Sequence, residues 1–405
     1  MSTSRRCLCF SSCLGLLILC SLLGRAPEGL AQDRAVVVTN VAELAAAVES
    51  ANAGGPLLIQ VADGIYTLGS GLWIQAEGLT VAGLSGNRDG VVIQGQGMEG
   101  GVSHVFWVAA DSVTIRDLTL GNVANHAVQV HGDLDADNFS LVNCRLFDTF
   151  EQMVKVSYNQ ENPVQGSDNG LIQGCLFEYT AGVGPQWYIG GIDAHNATGW
   201  IIQANIFRNI ASPADSLAEH AVHFWSNSRG TLVERNLIID CDRGIGFGLG
   251  DRGHLGGIIR NNMIYHGPVD GLADVGIGLE SASGAVVCNN TIFFENTYPN
   301  AIEYRFGGST DNLIANNLTN RALTARDGGA ANLSANVASA QAGWFVDPAG
   351  GNLSLASPVA GVVDAGMVIE GLIDDFKGAP RPHGAGIDIG ADEYGSPPPG
   401  TIPEE

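Results

Sequence analysis

Positive charge is scarce in this chain. Nineteen lysines and arginines stand against 42 aspartates and glutamates, and charged residues of both signs make up only 15% of 405 positions. The formal net charge is −23. A surface of that sign cannot neutralise a run of phosphates, which speaks against nucleic acid as a partner. Cysteine is scarce where it would matter. Cys7, Cys9, Cys13 and Cys20 lie near the start, and Cys144, Cys175, Cys241 and Cys288 are far apart with no C-x-x-C spacing. That excludes a cysteine metal cluster and a disulfide scaffold, leaving small buried residues or one disulfide. No apolar run after Leu23 is long enough to cross a membrane. Helical periodicity is nearly absent as well. The one good candidate is 40–53, with Asn40 as N-cap and Val41, Leu44, Ala45 and Val48 spaced for one face.

The start of the chain has its own pattern. Arg5 and Arg6 precede an apolar run from Cys7 to Leu23, and Gly29-Leu30-Ala31 supplies small residues before Gln32. Residues 1–31 therefore read as a secretory signal, which predicts an extracellular or periplasmic protein. Its removal takes away three arginines and one glutamate and moves the net charge from −23 to −25. Such a charge favours solubility and is compatible with calcium. Residues 396–405, with Pro397, Pro398 and Pro399, are expected to be a disordered tail. The body, 32–395, reads as one elongated domain because it repeats.

The repeat is a short strand of small, apolar, variable, apolar, variable residues. Its copies are Ala127-Val-Gln-Val-His131, Met153-Val-Lys-Val-Ser157, Gly191-Ile-Asp-Ala-His195, Ala221-Val-His-Phe-Trp225, Gly244-Ile-Gly-Phe-Gly248, Gly276-Ile-Gly-Leu-Glu280 and Ala301-Ile-Glu-Tyr-Arg305. A period of two makes each copy a strand with one buried face. After each copy comes a second pattern with Asn or Cys at its fourth position: Cys144, Cys175, Asn205, Asn236, Asn262, Asn290 and Asn317. Asparagine kept over consecutive coils predicts a ladder of stacked amides. Short strands stacked on their own copies make a parallel β-helix, an all-β solenoid with one strand of each kind per coil. The helix at 40–53 precedes Leu57-Leu-Ile-Gln-Val61, expected as the first strand. It would cap the open end of the stack.

Together with Val61-Ala-Asp-Gly-Ile-Tyr-Thr67 and the closing stretch from Asp374-Asp-Phe-Lys-Gly378 to Ile387-Asp-Ile-Gly-Ala-Asp-Glu393, these coils resemble the pectin-lyase-like superfamily of right-handed parallel β-helices. Right-handedness is implied by that resemblance. So is a range of activities, since the superfamily includes lyases, hydrolases, epimerases and non-catalytic adhesins.

Register turns the repeat into a map of the outer face. One outward column reads Gln129, Lys155, Asp193, His223, Gly246, Gly278, Glu303. The other reads His131, Ser157, His195, Trp225, Gly248, Glu280, Arg305. With rungs about 4.8 Å apart, Lys155, Asp193, His195, His223 and Trp225 should cluster. Insertions at 158–169, 181–190, 211–220 and 266–275 should wall the same place, and they carry Tyr158, Trp187 and Tyr188. A solvated strand also turns polar residues outward, so the grouping is what distinguishes this face, not any single residue. Glu219, Asp242 and Asp274 recur on consecutive coils and are candidate Ca²⁺ ligands, or partners of His220 and Arg243. Arg252 and His254 follow a strand and would reach the groove or face water.

The expected partner is a polysaccharide, bound by a monomer. β-Elimination on a uronate glycan needs a carboxylate neutraliser (Lys155 or Arg243), a base (His195 or His223, oriented by Asp193) and an acid (Tyr158 or the second histidine). Trp225, Trp187, Tyr188, Arg252, His254, Glu280 and Arg305 would hold the chain. A glycoside hydrolase or epimerase is the alternative, although hydrolysis needs two suitably spaced carboxylates. A non-catalytic extracellular glycan-binding or surface protein is the other.

Overall fold

The computed structural model describes residues 35–268 and 272–397. The predicted signal segment 1–31 and residues 398–405 of the predicted tail lie outside them. Among the described residues, three long parallel sheets of 12, 10 and 10 strands run the length of the molecule, with a fourth of five short strands. Strands of every long sheet recur in the same order coil after coil, so the chain is a parallel β-helix. No helix among the described residues is long and apolar enough to cross a membrane.

The one α-helix among the described residues, α1 (Val41–Asn52), begins where Asn40 accepts a hydrogen bond from the Glu43 amide at 3.0 Å. Glu43 reaches back to the Thr39 amide at 2.8 Å, so two orphan donors are satisfied at once. The buried face is Leu44, Ala47, Val48 and Ala51. Ala45 is exposed, because it lies a residue outside the 3.6 period that the other four share. The first strand is Ala35–Val38, ahead of the helix and paired with Leu58–Val61. α1 packs on both and on Leu72–Ile74, and so caps the end of two sheets.

Each coil turns between its 12-stranded face and the next sheet at a tight corner. The residue before the ladder position is left-handed every time: Asn143, Gly174, Ala204, Arg235, Asn261, Asn289, Asn316 and Ala335 have φ between 50° and 66°. Asparagine and glycine enter that region easily; arginine and alanine do so at a cost that the surrounding structure must offset. The next side chain then points inward and joins the ladder. Asn205 Nδ2 donates to Asn236 Oδ1, Asn236 to Asn262, Asn262 to Asn290, Asn290 to Asn317 and Asn317 to Asn336, all at 2.9–3.0 Å. Each Oδ1 also accepts the backbone amide of the preceding coil, as Asn236 does from Asn205 N at 3.0 Å. Cys144 and Cys175 occupy the first two ladder positions, and all four cysteines of the described region are unpaired and buried.

The interior is one continuous apolar stack from Val38 to Ile314, with rings such as Phe177 and Phe207 lying parallel at 4.6 Å. A second, smaller core forms where the closing segment folds back. Phe345, Leu353, Leu355, Val362 and Ile389 cover Ile239, Met263, Tyr265, Phe293 and Leu318 on the outside of the coils. Arg381, fully buried, pairs with Glu393 at 2.5 Å and donates to the Asp374 and Ala391 carbonyls and to Asn261 Oδ1.

Replacing Asn262 by Ala removes acceptors for the Asn236 amide and side chain and a donor for Asn290. The expected loss is about 2–4 kcal/mol, from burying groups left unsatisfied. Asn336→Ala, at the half-exposed end of the ladder, should lose about half as much. Denaturant titration followed by far-UV circular dichroism compares the two.

Candidate functional site

Backbone pairing sets the predicted column side by side. Gln129, Lys155, Asp193, His223, Gly246, Gly278 and Glu303 are successive register partners. His195 pairs with Trp225 and Glu280 with Arg305. The two apolar positions of each strand face the core, as alternation requires.

At the centre Lys155 Nζ donates to Asp193 Oδ2 and lies 3.0 Å from His195 Nε2. A lysine ammonium only donates, so Nε2 of His195 is the acceptor in that contact, while Nδ1 lies 3.0 Å from Ser226 Oγ. Trp225 Nε1 donates to the other Asp193 oxygen at 2.6 Å. Arg252 stacks on Trp225 with its guanidinium 4.0 Å from the ring and approaches His195 Nδ1 at 3.3 Å. Tyr158 lies parallel to the His195 ring, centroids 6.1 Å apart. His223 stacks on the far side of Trp225 at 5.1 Å, and its Nε2 donates to the Gly248 carbonyl at 3.1 Å.

These residues were expected to be an exposed face. Instead Asp193, His195 and His223 retain only 3%, 9% and 1% of their exposure. The ring contacts of Tyr158, Trp225 and Arg252 cover them.

Burial then dominates the electrostatics. It opposes ionisation of Asp193, but the Lys155 ammonium and the His195 and His223 imidazoles outweigh it and hold the carboxyl well below the usual range. For Lys155, burial works against the charge, and Asp193, Tyr188 and Glu151 more than restore it. His195 moves the other way: burial, with Lys155 and Arg252, lowers its basicity against the pull of Asp193. The pair Lys155–Asp193 is therefore ionised beside a neutral imidazole.

The remaining candidates divide. Trp187 and Tyr188 form an edge-to-face pair at 5.4 Å in the wall, and Trp187 is half exposed. Glu280 and Arg305 pair at 3.1 Å on later rungs, away from Lys155. Arg243 is engaged with Asp274 at 3.2 Å and Glu219 at 3.8 Å, and so stands apart from the centre. His254 does not reach the groove. It is buried against Phe247 at 4.0 Å, bonded to Thr231 Oγ1, and burial lowers its pKa to about 3. The three carboxylates considered for Ca²⁺ are not gathered. Asp242 Oδ2 accepts from the Ser212 and Ala218 amides and Asp274 Oδ2 from Arg243, so two of the three carboxylates have local partners.

Sequence reasoning missed the groove's other end. Trp73 and Trp107 continue the Gln129 column for two more rungs, in Leu72–Ile74 and Phe106–Val108. Their rings lie 5.3 Å apart, with His131 5.6 Å from Trp107. Both strands show the same alternation; Gly71 supplies the small residue in front of the first, whereas Val105 stands in front of the second. Glu151 was missed too. Burial raises its pKa, against the lowering effect of Lys155.

No protein-family model matches this chain, and no curated protein is similar to it in sequence. Its fold is that of the pectate lyase Pel9A, with a TM-score of 0.54 at 14% identity over 85% of this chain and 90% of that one. An alginate lyase from Paenibacillus sp. str. FPU-7 overlaps with a TM-score of 0.43 at 14% identity, over 65% of this chain and 95% of that one. The catalytic domain of a GH87 α-1,3-glucanase in complex with nigerose gives 0.39 at 13%, over 75% and 64%.

Asp193→Leu leaves Lys155 buried without its counter-ion and should destabilise the chain by about 3–5 kcal/mol. The double variant Lys155→Met, Asp193→Leu should recover most of that loss. Thermal and denaturant melts of the three chains measure the coupling.

Proposed function

We propose that the chain is a secreted, carbohydrate-active β-helix protein, and specifically a monomeric polysaccharide lyase that cleaves a uronate-containing glycan by β-elimination. Secretion rests on the basic, apolar, small-residue pattern of 1–31. The chemistry rests on one observation: two cations, Lys155 and Arg252, flank a neutral imidazole, His195, over an already ionised Asp193.

In that arrangement the substrate carboxylate is drawn to Lys155 and Arg252, which acidify the adjacent C5–H. Engaging Lys155 frees the His195 lone pair. His195 Nε2 takes the C5 proton, the C–H electron pair becomes the C4=C5 double bond, and the C4–O bond breaks with its pair on the leaving oxygen. The Tyr158 hydroxyl, on the ring stacked over His195, protonates that oxygen and recovers a proton from the imidazolium. His223 is closed to this role, since its Nε2–H is bonded to Gly248 and the ring is buried. Asp193 is a positioning residue that keeps Lys155 charged and in place. Trp107 and Trp73, two and three rungs from Lys155, provide flat apolar surfaces for sugar rings of the same chain.

A hydrolase is the second reading, favoured by Glu151. Its raised pKa is what a general acid needs. Against it, both Asp193 oxygens are taken, by Lys155 and Trp225.

Incubation with alginate, pectate and chondroitin, read for both unsaturated uronate absorbance and new reducing ends, separates the readings. Double bonds should form, and His195→Ala should cut their rate by roughly 10²–10⁴-fold. Reducing ends without double bonds favour hydrolysis, and a silent panel rejects both.

Trp107→Ala should raise KM for long chains by roughly 5–10-fold, with little change in kcat, while the shortest cleaved oligomer is unaffected.

His195 is faced by Lys155, Asp193, Arg252, Tyr158 and Trp225, and its net shift is downward from 6.5. Loss of kcat/KM on acidification should therefore have a midpoint below 6.5. Arg252→Ala removes a charge that lowers the imidazole's basicity and should move the midpoint up while lowering the plateau. A limb at or above 6.5 in the unaltered chain would assign the base elsewhere.

A further inference from the structure

We infer that Glu219, His220 and His223 form a binding site for a divalent transition-metal ion of the zinc type, beside the Lys155 cluster. The ligand atoms these three offer lie within 4.8 Å of one another. The tautomer of His223 is fixed by its surroundings. Its Nε2 faces the Gly248 carbonyl at 3.1 Å, so the proton is there and the lone pair is on Nδ1. That lone pair faces Glu219 Oε2 at 4.0 Å and Asp193 Oδ1 at 3.8 Å. These separations are too long for a hydrogen bond. Each joins two acceptors, an arrangement that repels itself until a cation enters. Two ligand atoms bound tetrahedrally to one ion at about 2.0–2.2 Å stand about 3.3–3.6 Å apart, so Glu219 Oε2 needs to close by only about half an ångström. A histidine whose outer N–H is held by a backbone carbonyl is also the usual support for a metal-bound imidazole.

His220 supplies the independent observation. It keeps 6% of its exposure, its ring lies 4.4 Å from His223, and its Nδ1 is buried with no hydrogen-bond partner. A polar atom in that position normally has one. Glycine gives the ring its place: a Cβ on Gly246 would stand 2.7 Å from His220 Nε2, and one on Gly278 3.8 Å from it, so a side chain at Gly246 would push the imidazole out of the cluster. Asp193 is not a ligand in this proposal, because Trp225 and Lys155 occupy its oxygens. Arg243 lies 3.8 Å from Glu219 Oε2, beyond hydrogen-bond distance, and its nearer partner is Asp274 at 3.2 Å. Two imidazoles and one carboxylate favour zinc-like ions over calcium, which takes six or more oxygens. A fourth position is left for water or a substrate oxygen.

The site is read by binding alone, so it stands or falls separately from the glycan chemistry. The chelator-treated full chain is titrated with Zn²⁺ by calorimetry and its melting is followed with and without the ion. One equivalent should bind and raise the Tm. The double variant Glu219→Gln, His220→Gln should weaken binding by roughly 100-fold or more and lose the shift. Co²⁺ added to the unaltered chain should give visible d–d bands, a measurement that needs no variant. Absence of both Zn²⁺ binding and Co²⁺ bands in the folded chain overturns the proposal. So does undiminished Zn²⁺ affinity in a folded double variant, or a preference for Ca²⁺.

Discussion

Every functional statement about this molecule depends on coils that cannot slip. In a sheet of period two, a shift of one residue sends each outward side chain into the core. The corner prevents that shift. A left-handed residue turns the chain, the next side chain enters the interior, and its amide bonds both to the backbone and to the corresponding amide one coil away. The backbone at Arg235 adopts a conformation unfavourable for its side chain, and the gain at Asn236 offsets it. Because Asn205, Asn236, Asn262, Asn290 and Asn317 are stacked, the strands leading into those corners are stacked too. Lys155, Asp193 and His223 then become neighbours although 68 residues of chain separate the first from the last.

Much of this could be read from residue spacing. The seven copies, their inward and outward positions and the ladder all follow from apolar periodicity and one repeated polar residue. What could not be read was set by contacts between distant segments. The outward column looked solvated, and only the folded insertions carrying Tyr158 and the approach of Arg252 show that it is covered. His254 looked like a groove residue because it follows a strand, but Phe247 and Thr231 draw it inside. Asp242 and Asp274 read either as cation ligands or as local partners, and the Ser212 and Ala218 amides and Arg243 are the partners they have. Trp73 and Trp107, by contrast, were legible: Gly71-Leu-Trp-Ile-Gln75 matches the repeat, and Phe106-Trp-Val108 shares its alternation behind Val105.

The site also reverses the sign of the molecule. The chain carries a formal charge of −23, yet the groove gathers Lys155 and Arg252 around a single buried carboxylate. Lys155 stays charged because Asp193 is there, and Asp193 stays ionised because Lys155 is. Neither would persist alone in so dry a place. This mutual dependence keeps a charged pair against the neutral His195 imidazole.

The closing segment has a consequence for how the solenoid comes apart. Stacked repeats ordinarily peel from whichever end is weaker, each coil held only by its neighbours. Here the side chains of Asn261, Asn289 and Asn316, at three consecutive corners, bond to the returning chain at Asp374, Asp388 and Met367. Arg381 anchors the same stretch from within. The later coils are thus laced together from outside. They should open as one cooperative block, leaving the coils beyond the lacing, nearer α1, as the part that can fray on its own.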